Sequence, residues 1–138
     1  MPTPILKISE ALSLALHAMA YLSNEPDRPR RVKEVAKRLR ASEAHLSKVL
    51  QALARAGLLQ ATRGPKGGYR LAKKPEEISL MEIYEVINGP LEDQNCLFKE
   101  PLCSGERCLL GDLLSEVNRL VRKHFSQTTL KDAQDLLT

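Results

Sequence analysis

The sequence predicts a mainly α chain: a winged helix-turn-helix with a small two-stranded wing and a long C-terminal dimerisation helix. Three observations predict it. Two short amphipathic segments flank the turn Arg40-Ala41-Ser42. A strand–turn–strand pattern follows, centred on Arg63-Gly64-Pro65-Lys66-Gly67-Gly68. A long apolar stripe then runs from about residue 109 to 125.

Each element has a local reason. Ser9 caps a first helix to Asn24, with Leu12, Leu16, Met19 and Ala20 at helical spacing and Pro26 and Pro29 beyond its end. Val32–Leu39 is a short second helix whose apolar face is Val32, Val35, Ala36 and Leu39. Ser42 caps a third helix to about Ala56, and Gly57 stops it; Leu46, Val49, Leu50 and Leu53 face inward. Leu58–Thr62 and Tyr69–Ala72 are the strands of the wing. Ser79-Leu80-Met81-Glu82 has the form of a capping box and opens a fourth helix, which Asn88-Gly89-Pro90 ends. The final long helix carries Leu110, Leu113, Leu114, Val117, Leu120, Val121 and Phe125 on one stripe. That stripe is wider than one small core needs and suits pairing with a second copy. Thr129 caps a last short helix ending near Leu137. The expected organisation is a DNA-binding unit over 1–90, a cysteine loop over 91–108, and a dimerisation helix with its tail over 109–138.

Composition sets the class of partner. The net charge of +4 hides an asymmetry. Between Arg28 and Lys74 there are fourteen Lys/Arg and two acids, a net of +12, against −8 for the rest of the chain. This is the electrostatic footprint of a nucleic-acid-binding half; the alternative is a solvated basic face. Apolar residues make up 43% of the chain but there is no Trp, so the core must be aliphatic. The best apolar run, Ala11–Leu22, is too short to span a membrane. There is no signal-peptide pattern, so a cytoplasmic protein is expected.

The three cysteines, Cys96, Cys103 and Cys108, fall within thirteen residues, spaced Cys-x6-Cys-x4-Cys. An odd number argues against a closed disulfide framework. In a reducing compartment such a cluster binds metal or does redox chemistry. Soft thiolates suit an iron–sulfur cluster, 2Fe–2S or 4Fe–4S. Zinc is the weaker candidate, because its sites show tighter pairs and a complete set of four ligands. Redox-active thiols without metal are the other alternative. No dinucleotide fingerprint, substrate-pocket motif or catalytic dyad points to an enzyme.

For DNA, Arg31, Lys33, Arg63 and Lys66 are candidate phosphate contacts, and Gly67 and Tyr69 belong to the wing that approaches the duplex. Ser42, Ala44, His45, Ser47 and Lys48 are the outward positions of the third helix. Lys48 suits guanine and Ser47 several bases. His45 is a phosphate contact or simply a surface histidine. On the first helix, His17 reads as a hydrogen-bonded core residue.

These residues resemble a family. The first helix, the turn at Ser42, the wing Arg63-Gly64-Pro65-Lys66-Gly67-Gly68-Tyr69, the helix after Ser79, the cysteine triplet and the long helix are similar to bacterial winged-helix regulators of the Rrf-two family, with its IscR-like, NsrR-like and RirA-like branches. The resemblance implies a homodimer on a pseudo-palindromic operator, with a recognition helix in each major groove and the wing toward the minor groove. It also implies an iron–sulfur cluster held by the three cysteines near the dimer interface. IscR-like members place a fourth ligand, a His, three residues after the last cysteine; here that position is Gly111. NsrR-like members use an acidic residue early in the first helix of the partner subunit, which here aligns with Glu10. Glu106, Asp112, His17 or an exogenous ligand are alternatives. IscR-like members also carry an acidic residue where this chain has Ser47, so the implied target sequence differs. The expectation is a repressor whose operator affinity depends on the cluster. Its rival is a cluster-free thiol or small-molecule switch, as in the cysteine-metabolism branch.

Overall fold

The structure, a computed structural model, describes residues 7–94, 96–103 and 107–138. Its elements are α1 (Glu10–Ser23), α2 (Val32–Leu39), α3 (Glu43–Arg55), β1 (Leu59–Thr62), β2 (Gly68–Leu71), a 3-10 turn (Pro75–Glu77), α4 (Leu80–Asn88), α5 (Leu113–Gln127) and α6 (Leu130–Ala133). The mainly helical winged helix-turn-helix with a C-terminal helix is as expected.

Caps set most boundaries. The Ser9, Ser42 and Ser79 hydroxyls accept from the backbone N–H groups of Leu12, His45 and Glu82. At Ser79 only half of the expected capping box forms among the described contacts, because no bond returns from the Glu82 carboxylate. Arg40 ends α2 in the left-handed conformation (φ 55°), and its N–H reaches the carbonyls of Ala36 and Lys37. This tight reversal leaves only three residues between α2 and α3, which makes the helix-turn-helix.

Helix α1 is the central post. Leu12, Leu14, Ala15, Ala18, Met19, Tyr21 and Leu22 are all buried, so the helix is covered nearly all round rather than along the single expected stripe. It packs against α2, α3, α4, α6 and β2, and a helix surrounded in this way loses its amphipathic pattern. Around it, Val35, Leu46, Leu50, Leu53, Ile78 and Ile83 complete an aliphatic core. His17 departs from expectation. It is exposed, with Nδ1 2.7 Å from its own helix's Ser13 carbonyl, because its position falls in the one strip of α1 left open.

The long helix starts at Leu113, later than expected. Gly111 takes φ +60°, its N–H bonds to the Cys108 carbonyl, and the Leu113 N–H bonds to the Leu110 carbonyl. Leu110 therefore lies in a turn before α5, not on its stripe. On the far side, α6 is a single turn, but Leu130 within it is wholly buried in the α1 core. A bridge between Ser79 and Thr129 ties this segment to the start of α4. The Gln134 side chain donates to the Ser23 carbonyl (2.8 Å), and the Asp135 N–H donates to Asn24 Oδ1 (2.8 Å).

Candidate nucleic-acid interface and cysteine loop

Helix α3 presents the reading face. Its inner side, Leu46, Val49, Leu50 and Leu53, is buried. Ser42, Ala44 and Lys48 are exposed, and His45 and Ser47 are half-buried. Gln51, one turn further, is also exposed, and its Nε2 donates to Ser47 Oγ (3.0 Å). The sequence reading missed Gln51, although spacing from Ala44, Ser47 and Lys48 puts it on the same face. His45 Nδ1 lies 3.7 Å from Glu10 Oε1, an ion pair when the imidazole is protonated. The start of α1 therefore touches the start of the reading helix.

The wing is the antiparallel pair β1–β2, registered Leu59 to Leu71 and Thr62 to Gly68. Its tip is a turn closed by the Gly67 N–H on the Gly64 carbonyl (2.9 Å). A Cβ at Gly67 would overlap the Thr62 carbonyl, and one at Gly68 (φ +143°) would overlap the Arg30 carbonyl. The second contact is intimate because Arg30 and Tyr69 exchange backbone hydrogen bonds, 2.9 and 2.8 Å, which adds the chain before α2 to the wing as a third edge. Arg63 and Lys66 stand exposed at the tip, and Lys33 is exposed at the start of α2.

Several of the fourteen cations have partners within the protein, Arg28, Arg30 and Arg31 among them. Arg30 is 7% exposed. It stacks over the Tyr21 ring at 4.3 Å and bonds Glu25 (2.9 Å) and Glu34 (3.3 Å). Arg31 turns its Nη2 to the Gly64 carbonyl (3.0 Å) and the Pro65 carbonyl (2.6 Å). The hydrogen bond from Arg28, reinforced by the charge of Arg30, holds the Glu25 carboxyl below its ordinary range, and Glu25 in turn raises Arg28.

The cysteine loop is anchored at its entry. Arg122 Nη2 on α5 donates to the Leu91 carbonyl and to Asp93 Oδ1, both at 2.9 Å, and Asn118 Nδ2 donates to the Gln94 carbonyl (2.9 Å). All three cysteines are free, Cys96 half-buried and Cys103 and Cys108 exposed. The Cys96 sulfur accepts from the Phe98 N–H (3.5 Å) and the Cys108 sulfur from the Leu110 N–H (3.4 Å). Three cysteine sulfurs are the donor type that iron–sulfur groups take, so the donor set fits such a group in kind. The expected convergence is not seen. Among the described residues no three of His, Cys, Asp and Glu stand close enough to hold a metal. Glu106 lies outside the described residues.

Helix α5 has two apolar stripes. Leu114, Val121 and Phe125 are half-buried toward α4, where Phe125 meets Tyr84 edge-on at 5.9 Å. Leu113, Val117 and Leu120 point away and are 50%, 40% and 67% exposed. Among the described residues no helix is long and apolar enough to cross a membrane.

A buried helix-turn-helix with an exposed α3 and a cationic wing defines a DNA-binding transcriptional regulator rather than an enzyme. The profile of the Rrf2 family, described as an iron-dependent transcriptional regulator, matches residues 8–135. The chain belongs to that family. It is 32% identical to the HTH-type transcriptional regulator NsrR of Shouchella clausii over 130 residues, covering 92% of this chain and 87% of that protein. Its fold is similar to CymR, the global cysteine regulator of Bacillus subtilis, with a TM-score of 0.78, 29% identity, and 93% and 95% of the two chains covered. It is also similar to IscR of T. potens, with a TM-score of 0.73, 27% identity, and 93% and 85% of the two chains covered.

Proposed function

We propose that the chain acts as a homodimeric cytoplasmic repressor whose hold on a pseudo-palindromic operator responds to an iron–sulfur cluster. Cys96, Cys103 and Cys108 would be its ligands, with Glu10 of the partner subunit as the fourth. The observation that carries this reading is a loop of three free thiols, two already accepting backbone N–H bonds, hitched by Asn118 and Arg122 to α5. Helix α5 in turn offers Leu113, Val117 and Leu120 to a second copy, while Leu114 and Val121 lie on the stripe that faces α4. When bound, the group supplies an iron site that is open to small oxidants and to loss.

The chain's own residues do the rest. Lys33, Lys48, Arg63 and Lys66 meet phosphates or base edges, while Ser42, Ala44, His45 and Ser47 shape the reading face. Gly67 and Tyr69 hold the wing's backbone against the duplex. The Glu10 side chain is 79% exposed and beside His45, so a change at Glu10 is felt at the reading helix. Two such helices must meet successive major grooves about 34 Å apart, which makes operator affinity sensitive to their spacing.

The test is an anaerobic visible spectrum with iron and sulfide assayed on the same sample. A broad band with about four of each per chain fits 4Fe–4S, and structured bands with about two fit 2Fe–2S. Replacing Cys103 with Ala is expected to remove the colour and leave a folded dimer. A second reading, a cluster-free thiol switch, is favoured by one observation: the sulfurs are not gathered at ligating distance. Protein that stays colourless and iron-free after reconstitution would select it.

A further inference from the structure

Arg31 stands where a phosphate-binding cation is expected, on the surface at the entrance to α2. Its guanidinium is committed instead to the protein. One nitrogen donates to two successive carbonyls at the wing tip, Gly64 at 3.0 Å and Pro65 at 2.6 Å, across 33 and 34 residues of sequence. Neither partner is acidic, so charge neutralisation is not what this contact provides. It holds a turn.

The geometry shows what the turn gains. The Arg30–Tyr69 bridge holds β2 one pair short of the end of the ladder at Thr62–Gly68, but the turn over residues 63–67 projects beyond that last pair. An isolated two-stranded hairpin is marginal in water. The Gly64 carbonyl already closes the turn by accepting from Gly67. Arg31 adds a second, charged donor to it and captures the neighbouring Pro65 carbonyl. Both oxygens are thereby drawn toward the protein, whereas an unheld tip could turn them toward phosphate oxygens, which would repel them. Arg63 and Lys66 flank these two residues, so the same contact fixes where the two wing cations stand.

We propose that Arg31 is a positioning residue for the wing, a strut from the start of α2 to the wing tip that sets the pitch of Arg63 and Lys66 relative to α3. This rests on the wing being a DNA contact only for its second consequence; the strut itself is tested without DNA.

The variant is Arg31→Ala. Position 31 caps α2 through its backbone alone, with no side-chain cap bond, so α2 is left intact. In the absence of DNA, limited trypsin digestion mapped by mass spectrometry reads the wing at the Arg63–Gly64 and Lys66–Gly67 bonds. Loss of hydrogen bonds from a charged donor predicts nicking there about tenfold faster, with an unchanged cooperative melt. On a mixed-sequence duplex of about 30 base pairs, the slope of log affinity against log salt should fall by about two phosphate contacts, at about 0.9 each. Adding Arg63→Ala and Lys66→Ala to Arg31→Ala should then change little. Unchanged nicking overturns the strut whatever the DNA result. Faster nicking with an unchanged slope, the slope being unchanged in Arg31→Ala and in the triple variant alike, supports the strut and removes the wing from DNA binding. A slope change of about one contact that adds to those of the wing variants makes Arg31 an independent phosphate contact and overturns its role in setting the wing's pitch.

Discussion

At the scale of single residues, the glycines on either side of the first wing strand separate two kinds of constraint. Gly57 and Gly68 both take positive φ, but only Gly68 has backbone in the space a Cβ would fill. Gly57→Ala should therefore cost about 1 kcal/mol, the strain of the left-handed region. Gly68→Ala should cost about 2–4 kcal/mol and loosen the Arg30–Tyr69 bridge. Urea melts of the two variants measure the difference. Glu25 gives a pH signature. Its folded pKa is lowered, so its contribution is fully present above the unfolded value near 4.5 and is lost as pH falls through the folded one. Acid unfolding followed below that pH should be shallower in Glu25→Gln, and the two proteins should share one slope above it. Gly57 was legible in the sequence as a helix stop, but the packing of Gly68 and the pairing of Glu25 were not. Arg30 and Arg31 look like any other cations in a basic run. Arg30 is buried over Tyr21 between Glu25 and Glu34, whereas Arg31 is bound to carbonyls of a wing more than thirty residues further along the chain.

At the scale of elements, what could be read was what is decided locally. Ser42, Gly57 and the Gly64–Gly68 turn place α3 and the wing, because caps and turns use neighbouring backbone. The start of α5 was misread because Leu109 and Leu110 continue the apolar spacing, whereas Gly111 in the left-handed region halts the helix before Asp112. Corrected for this, the outward stripe is Leu113, Val117 and Leu120. Leu120→Glu puts a charge on that stripe at a site already 67% exposed, so the chain should stay folded. Sedimentation equilibrium should shift it from dimer to monomer. Operator affinity should drop by about a hundredfold, as two linked half-sites become independent. A dimer that survives the change would move the interface elsewhere.

At the scale of the whole molecule, the charge asymmetry read from the sequence includes exposed cations on three successive elements, α2, α3 and the wing. Lys33, Lys48, Arg63 and Lys66 are exposed on the helix-turn-helix and wing. The cysteine loop was legible as a set of donors but not as an assembled site, since bringing Cys96, Cys103 and Cys108 together depends on a loop only its entry of which is anchored, by Asn118 and Arg122. Least legible was the return of the chain. Leu130 looks like one more apolar residue in a tail, yet it is wholly buried against α1, and Gln134 and Asp135 bond residues 111 positions earlier. This has a consequence for synthesis. As the chain leaves the ribosome, α1, α2, α3 and the wing emerge first, but the side of α1 that receives Leu130 stays open. The most distant contacts close last. The core around α1, on which α3 and the wing are seated, is thus complete only after α5 and Leu130 have been made.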